Sequence, residues 1–367
     1  MRIGFDARPL VPPLTGVGVW LRELLSALAE ATSWELTLHL PRRRALALEL
    51  PRQAAVVASG LPLPGTLWLA TTAFSQIQGC DAFVGTLGIL PRRLATPAVL
   101  VLHDLTPRTR PHHHRLANRF CFNAYLEESL AQARVVVCDS HATANKLASL
   151  LPGWAKDTRV IPLAVSPFFA PGEEDPASVQ ERFSQGRPFI LQLGTLEPRK
   201  GITTLLAAHD ALLAANPQAP DLVLAGAKGW GGNFLTKALA RHRFPERVHL
   251  PGYVTREEAR SLLRCAEVVV LASEEEGFGL PLAEAMACGA ACVASDDPAL
   301  VEVAGGSALH FPRRNPKALA AALEEALVLA NNARLRQLAL ARAQALRWDV
   351  VLPHWLSLLV ELAGQQG

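Results

Sequence analysis

The chain has 367 residues, of which 50% are hydrophobic and 6% aromatic, and its 36 basic and 33 acidic side chains give a net charge of +3. This length is sufficient for two domains of ordinary size, and so small a net charge does not indicate nucleic-acid binding. Leu, Ala and Val supply most of the apolar content, which favours helices packed on parallel sheets over an aromatic-rich β-sandwich. We therefore expect an α/β protein.

No stretch offers the roughly 18 uncharged apolar residues that a membrane-crossing helix requires, and the N-terminal sequence MRIGFDARPL lacks the apolar run of a leader. The six cysteines form no Cys-x-x-Cys pair, which is typical of a reducing compartment. These features predict a cytoplasmic protein without a membrane span.

Charge is unevenly divided along the chain. Residues 1–170 carry six more basic than acidic side chains, including the runs Arg42 to Arg44 and Arg92 to Arg93, whereas residues 171–367 carry three more acidic than basic ones. Clustered arginines are attracted to anionic lipid headgroups. Two interpretations stay open: peripheral contact of the first half with the inner face of a membrane, or an incidental basic surface.

In the first half, short apolar runs alternate with helical periods in the order RIGFD, VWLRELLSALAE, AVLVLHD, LANRFCFNAYLEESLAQA, RVVVCDS, HATANKLASLL and RVIPL. Such alternation predicts β-α-β units and a parallel sheet in an N-terminal domain of residues 1–170. The next segment is rich in Pro, Gly and acidic residues and predicts an interdomain connection: SPFFAPGEEDPASVQERFSQGRP.

The alternation resumes at FILQLG and continues through ITTLLAAHDALLAA, LVLAG, RVHLPG, REEARSLLRCA, VVVLAS, PLAEAMACG and ACVAS. It predicts a second doubly wound sheet in a C-terminal domain of residues 171–349. Polar and charged residues interrupt the apolar run WDVVLPHWLSLLVELAG, so we expect residues 350–367 to end the chain in an amphipathic helix. In open parallel sheets, ligands bind beyond the carboxyl ends of the strands, so the turns that follow the strands are the expected positions of site residues.

The densest group of candidate residues is SEEEGFGLPLAEAMACG, between a buried strand and a helix. Gly277 and Gly279 free the backbone so that amides at the helix start can face an anion. Glu276 and Glu284 flank this turn and would repel phosphate, so hydroxyl groups are their natural partners. The alternative is a solvated acidic turn beside a surface helix.

A second turn, GTLEPRKG, also lies between a strand and a helix. The guanidinium of Arg199 and the ammonium of Lys200 can neutralise a diphosphate and stabilise it as a leaving group. Such pairs are otherwise usually solvated, but two complementary turns in one sheet favour a shared site.

The first half offers weaker signals. Gly16 and Gly18 in LTGVGVW suit close backbone approach to a ligand. His103 ends a strand at the edge where ligands bind, which favours a functional role, and the alternative is a core histidine. Three consecutive histidines, His112 to His114, lack the separated geometry of metal ligands. No Asp-x-Asp motif is present to hold a metal on a nucleotide diphosphate.

With these motifs the sequence resembles glycosyltransferase family 4. The members of this family are retaining enzymes with the GT-B fold, in which two doubly wound Rossmann-like domains face each other across a cleft. The resemblance covers nearly the whole chain, from MRIGFDARPL through VLHDLTPRTRP, FILQLGTLEPRKGITTLL and LVLAGAKGWGG to the SEEEGFGLPLAEAMACG turn. Its most specific sign is the family's Glu-x7-Glu motif, formed here by Glu276 and Glu284.

The resemblance implies a role for each matched position. Arg199 and Lys200 would hold the donor diphosphate, Glu276 would meet hydroxyls of the transferred sugar, and Glu284 would bind the ribose. His103 would lie near the sugar and the acceptor. The remaining implied donor contacts are Gly16, Gly18, Tyr253, Val254, Gly277, Phe278, Gly279 and Leu280, with Tyr253 and Val254 beside the base.

The family uses no metal or other cofactor in this step, so none is expected. The sequence departs from the family pattern at two places: Leu163 and Ala164 replace a frequent Asn-Gly, and Val19 replaces a frequent Arg. The resemblance also implies that the final helix returns to the N-terminal domain.

The prediction is a retaining glycosyltransferase that moves a hexose onto a saccharide or lipid-linked saccharide in polysaccharide biosynthesis. GDP-mannose is the first choice of donor, because HDLTPRTRP and GTLEPRKG resemble bacterial mannosyltransferases, and UDP-glucose or another hexose donor is the alternative. Two other classes stay open: a nucleotide-sugar epimerase or hydrolase on the same fold, and a noncatalytic nucleotide-sugar-binding protein.

Overall fold

The structure, a computed structural model, describes residues 1–12, 14–41, 46, 51–58, 77, 79–92, 94–110, 116–154 and 157–364. It divides into two compact units, a first unit of Met1–Ala164 with Trp348–Gly367 and a second unit of Val165–Arg347. The boundaries lie a few residues before those expected at 170 and 349. The reason is local pairing, since the amide of Val165 donates to the carbonyl of Leu346 at 2.8 Å and Val165 forms a parallel bridge with Arg347.

The first unit is built on a seven-stranded sheet in the order β3-β2-β1-β4-β5-β6-β7. Every strand pair in it is parallel. The strands are β1 (Arg2–Asp6), β2 (Glu35–Leu40), β3 (Ala54–Ala58), β4 (Ala82–Gly85), β5 (Ala98–Leu102), β6 (Val135–Cys138) and β7 (Thr158–Val160). Strands β2, β3 and β4 are absent from the sequence prediction. Polar residues alternate with leucines in β2 (ELTLHL), three of the five residues of β3 (AAVVA) are alanines, which are uncommon in strands, and β4 has only four residues.

Among the described residues, four α-helices of the first unit come before the second unit in the chain. They are α1 (Gly16–Ala31), α2 (Thr106–Thr109), α3 (Leu116–Gln132) and α4 (His141–Leu150). The start of α4 is fixed by Ser140, whose hydroxyl accepts the amide of Thr143 at 3.1 Å, as expected for an N-cap serine. This cap places Asp139 directly between the end of β6 and the start of α4.

The second unit has a six-stranded parallel sheet in the order β10-β9-β8-β11-β12-β13. Its strands are β8 (Phe189–Leu193), β9 (Asp221–Ala225), β10 (Val248–Gly252), β11 (Val268–Leu271), β12 (Cys292–Ser295) and β13 (Leu309–Phe311). The strand order reverses between β8 and β11. In doubly wound sheets this switch point is where ligands bind, and it brings together the two turns that the sequence indicated.

Eight helices accompany this sheet in the described residues. They are α5 (Pro176–Ser184), α6 (Ile202–Ala215), α7 (Phe234–Leu239), α8 (Arg256–Cys265), α9 (Leu280–Ala287), α10 (Pro298–Ala304), α11 (Pro316–Leu327) and α12 (Leu329–Ala343). Helix α5 lies in the segment predicted to be an interdomain connection. The Asp175 carboxylate caps its start by accepting the amides of Ala177 and Ser178, and Pro176 occupies the first turn.

The last helix, α13 (Trp348–Gly364), belongs to the first unit. Its Trp355 is 1% exposed, and the centroid of the Trp355 ring lies 5.8 Å from that of Trp20 on α1. The prediction of two doubly wound α/β units is confirmed.

Candidate active site

The turns after β8 and β11 are locked together through their backbones. Gly201 has φ of 65°, and a Cβ at this position would lie 1.9 Å from the carbonyl oxygen of Ala272, so only glycine permits this approach. The amide of Glu274 donates to the carbonyl of Arg199 at 2.8 Å. On the other side, the buried side chain of Gln192 donates to the carbonyl of Lys200 at 3.2 Å. These contacts hold both turns in place without using any charged side chain.

Their side chains form a compact cluster of opposite charges. Nζ of Lys200 lies 2.6 Å from Oε1 of Glu276, and Nη1 of Arg199 lies 3.3 Å from Oε2 of the same carboxylate. Nε of Arg199 also lies 2.5 Å from Oε1 of Glu197. The hydroxyl of Ser273 donates to Oε1 of Glu276 at 2.6 Å. The structure therefore brings together three of the predicted catalytic residues and adds Glu197 and Ser273.

Glu276 is strongly ionised in this setting. Its side chain is only 9% exposed, and this burial by itself would raise the pKa of Glu276. The charges of Lys200 and Arg199, with hydrogen bonds from Lys200 and Ser273, outweigh burial and lower the pKa to about 2. A solvated acidic turn therefore does not describe Glu276, which is a buried carboxylate and a strong hydrogen-bond acceptor.

Glu274 and Glu275 differ from Glu276, although they are its sequence neighbours. The carboxylate of Glu274 pairs with Arg314, and its carbonyl accepts Nη1 of Arg313 at 3.0 Å. Glu275 is 7% exposed, and its carbonyl lies 3.4 Å from Nη1 of Arg199. Of the three consecutive acids, Glu276 is therefore the one whose side chain the two cations hold.

The turn leads directly into α9. Gly279 has φ of 100°, a conformation that favours glycine, and a Cβ there would lie 2.4 Å from Cδ2 of Leu300. Gly277 and Phe278 are buried, Leu280 is the first residue of α9, and Glu284 lies one turn into the helix, half-buried. The predicted donor contacts 277–280 thus connect the charge cluster to the positive end of a helix.

Tyr253 and Val254 lie before α8, whose N-cap Thr255 forms a capping box with Glu258. Tyr253 is 79% exposed, whereas Val254 is 8% exposed. A ligand along this edge would meet the Tyr253 ring and the backbone of the capped turn.

In the first unit, His103 follows β5 and Asp139 follows the neighbouring β6. Leu102 and Cys138 are register partners at the ends of these strands, so the next residues, His103 and Asp139, lie side by side. Nδ1 of His103 lies 2.7 Å from Oδ2 of Asp139, and the imidazole packs edge-on against Trp20 with ring centroids 4.8 Å apart. Burial alone would lower the pKa of His103, but the charge of Asp139 and the hydrogen bond to it raise it. Asp139 was not singled out from the sequence, although it stands in the quoted run VVVCDS.

The two glycines at the start of α1 are not equivalent. A Cβ on Gly18 would lie 2.3 Å from the carbonyl oxygen of Pro9, whereas a Cβ on Gly16 would have nothing within 4 Å. Packing inside the first unit therefore accounts for Gly18. Of the pair, Gly16 is the residue whose backbone lies open to a ligand.

Several predicted features lie outside the described residues: His112 to His114, Arg42 to Arg44 and Arg93. Arg92 is described, and its Nε lies 2.8 Å from the Glu128 carboxylate. In the described part of the chain, no helix has both the length and the apolar character needed to cross a membrane, and no group of three or more His, Cys, Asp or Glu side chains there could hold a metal ion.

Comparison with known proteins indicates the class to which the protein belongs. Residues 173–339 match the family model described as "Glycosyl transferases group 1". The O-antigen chain mannosyltransferase B of Escherichia coli is 28% identical over 94% of each chain. Sucrose-phosphate synthase of Thermosynechococcus elongatus has the same fold, with a TM-score of 0.80 at 20% identity over 99% of each chain. The structure of Anabaena HepE, solved in complex with UDP-glucose, has a TM-score of 0.79 at 19% identity and covers 98% of this chain and 100% of the HepE chain.

The fold and these matches define the class of protein: the chain is a glycosyltransferase with the GT-B fold. The relatives support a hexosyltransferase.

Proposed function

We propose that the protein is a retaining hexosyltransferase of glycosyltransferase family 4 that uses a nucleoside-diphosphate sugar as donor. The observation that carries the proposal is the buried Glu276 carboxylate, held between Lys200 at 2.6 Å and Arg199 at 3.3 Å at the switch point of the second unit. Two cations beside the start of α9 suit a diphosphate, and a fixed, ionised carboxylate suits sugar hydroxyls.

The roles follow from charge. As the donor's diphosphate binds, its oxygens take hydrogen bonds from Arg199 and Lys200, and Glu276 accepts hydrogen bonds from hydroxyls of the sugar. When the glycosidic C–O bond breaks, negative charge grows on the leaving phosphate oxygen, where the two cations and the helix terminus stabilise it. A donor phosphate oxygen accepts the proton of the incoming hydroxyl, whose oxygen bonds to the anomeric carbon on the face that the leaving group vacates, so configuration is retained. Glu284 binds the ribose, and His103 meets the sugar and the acceptor.

GDP-mannose is the proposed donor and UDP-glucose the alternative. Mannose is favoured by the Escherichia coli mannosyltransferase that matches nearly the whole chain, whereas the complex of HepE with UDP-glucose keeps the alternative open. The proposed acceptor is a saccharide or a lipid-linked saccharide of a growing polysaccharide. The proposal includes no metal, so transfer should persist in excess EDTA.

A thermal-shift screen tests the donor directly, because a ligand that binds only the folded state raises Tm. We expect GDP-mannose and GDP to raise Tm in the wild type and to have little effect on Lys200→Ala. A larger shift with UDP-glucose and UDP would transfer the assignment to the alternative donor.

Donor consumption without an acceptor would favour a hydrolase or epimerase, and binding without any turnover would favour a noncatalytic protein. NMR of the product's anomeric centre tests retention.

The division of roles between the two motif glutamates has its own test. Glu276→Gln should impair turnover more than binding of the bare nucleotide, because its partner is the sugar. Glu284→Ala should weaken nucleotide binding, because its partner is the ribose. Calorimetry with GDP and UDP on both variants separates them, and equal losses of affinity would contradict the assignment.

We further propose that the first unit contacts a membrane peripherally through its basic side chains, which would bring the enzyme to a lipid-linked acceptor. Each basic residue near an anionic surface contributes about 1 kcal/mol, and residues 1–170 carry six more basic than acidic side chains. Sedimentation with anionic and neutral vesicles at low and high salt tests this proposal. Absence of binding to anionic vesicles at low salt would contradict it and leave the transferase assignment intact.

A further inference from the structure

Arg199 is held at two points by two different carboxylates. Its Nη1 lies 3.3 Å from Glu276, and its Nε lies 2.5 Å from Oε1 of Glu197. In the proposed function the first of these contacts does not survive donor binding, since Glu276 turns to sugar hydroxyls while the guanidinium meets the phosphates. The contact with Glu197 involves the opposite part of the guanidinium and need not break.

We propose that Glu197 is a positioning residue for the donor diphosphate, which acts by holding Nε of Arg199 while the terminal nitrogens of the guanidinium bind phosphate. The inference rests on the proposed function. An arginine free to rotate would lose side-chain entropy each time a donor bound, whereas one already fixed at Nε loses less. Binding through the two terminal nitrogens is also the bidentate geometry that favours arginine at phosphates.

Glu197 is itself firmly placed. Its side chain is 9% exposed, and its carbonyl accepts the amide of Lys200 at 3.0 Å, so it begins the turn that carries both cations. The loop after β9 covers this turn: the amide of Leu196 donates to Ala227 at 2.9 Å, and a Cβ on Gly229 would lie 3.0 Å from Cβ of Glu197. These contacts fix the backbone and the Cβ of Glu197 beside Arg199.

Direct contact between Glu197 and the donor is disfavoured by charge. Two carboxylates and two cations make the cluster of Glu197, Arg199, Lys200 and Glu276 neutral overall, and a free carboxylate would repel a diphosphate. Glu197 therefore acts on donor binding by orienting the guanidinium of Arg199. This differs from a general electrostatic contribution, since removing the negative charge of Glu197 would by charge alone improve anion binding. If Glu197 orients Arg199, removing its carboxylate should weaken diphosphate binding, whereas a purely electrostatic effect would strengthen it.

The test is a double-mutant cycle on nucleotide binding. Calorimetry with GDP and UDP is performed on the wild type, Glu197→Gln, Arg199→Ala and the double variant. We expect Glu197→Gln to weaken nucleotide binding about fivefold, the range for freeing one long side chain. In the Arg199→Ala background the same change should have no further effect, because Glu197 acts through Arg199. Donor KM should rise with kcat less affected, whereas a merely structural defect would reduce the active fraction and leave KM unchanged.

Glu274→Gln is the matched control, because Glu274 lies in the facing turn but pairs with Arg314, and it should bind nucleotide like the wild type. Glu197→Asp, which keeps the charge but cannot reach Nε, should behave like Glu197→Gln and replaces it in the cycle if the glutamine variant does not fold. Unchanged or tighter binding by Glu197→Gln, or an equal loss with and without Arg199, would overturn the inference while the proposed function stands. A wild type that binds neither nucleotide would overturn both.

Discussion

Nζ of Lys200 lies 2.6 Å from Oε1 of Glu276, so the cation proposed for the diphosphate and the acid proposed for the sugar neutralise each other before a donor binds. Both are largely buried, at 14% and 9% side-chain exposure. A carboxylate left alone at such a position would be costly, and a pair of cations would repel each other. Mutual pairing therefore preserves an assembled site in the absence of donor, and donor binding exchanges these contacts for new ones.

Arg199→Ala and Lys200→Ala should each reduce transfer about a hundredfold, or about 3 kcal/mol, because each removes a charge that stabilises the leaving diphosphate. Steady-state kinetics with the identified donor measures the effect. Lys237→Ala is the matched control, since it removes the same charge from an exposed position of α7 in the same unit. Wild-type kinetics in both active-site variants would show that these cations do not contact the donor.

The pairing of Glu276 also predicts a stability loss in acid. Its pKa is about 2 in the folded protein against an ordinary value of 4.5. Because the folded value is depressed, the stabilisation is complete above pH 4.5 and is lost as the pH falls toward 2, to an extent on the order of 3 kcal/mol. Urea unfolding at pH 6 and pH 3 should show a smaller acid-induced loss in Glu276→Gln than in the wild type. An identical loss in the two proteins would contradict the assigned pKa.

Much of this site could be predicted because its residues lie in turns at strand ends. The run ITTLLAAHDALLAA coincides with α6 (Ile202–Ala215), and Arg199 precedes this helix, so its place at the sheet edge followed from chain order. Which side chains meet could not be predicted in this way. The contact of Glu197 with Arg199 and that of Asp139 with His103 depend on side-chain rotamers and on strand register, neither of which the pattern of residue types determines.

Gly16 and Gly18 should respond differently to substitution by alanine. Gly18→Ala should destabilise the first unit by about 1–3 kcal/mol, because its Cβ would lie 2.3 Å from the carbonyl of Pro9 and the backbone would have to shift. Gly16→Ala should fold normally, because its Cβ meets open space. A donor that approaches Gly16 would make Gly16→Ala lose transfer without losing stability. Thermal unfolding and kinetics on both variants decide, and full activity in Gly16→Ala would remove this residue from the donor site.

His103→Ala should retain nucleotide binding and lose most transfer, because the diphosphate cluster belongs to the second unit whereas His103 belongs to the first. Calorimetry and transfer assays on one preparation separate the two effects, and wild-type transfer would leave His103 as a core histidine.

Asp139→Asn tests the contact between Asp139 and His103 separately. The Asp139 carboxylate raises the pKa of His103, so the asparagine variant should titrate at lower pH and lose the protonated imidazole earlier as the pH rises. NMR titration of the His103 ring, assigned by comparison with His103→Ala, measures this shift, and an unchanged midpoint would show that Asp139 does not set the proton affinity of His103.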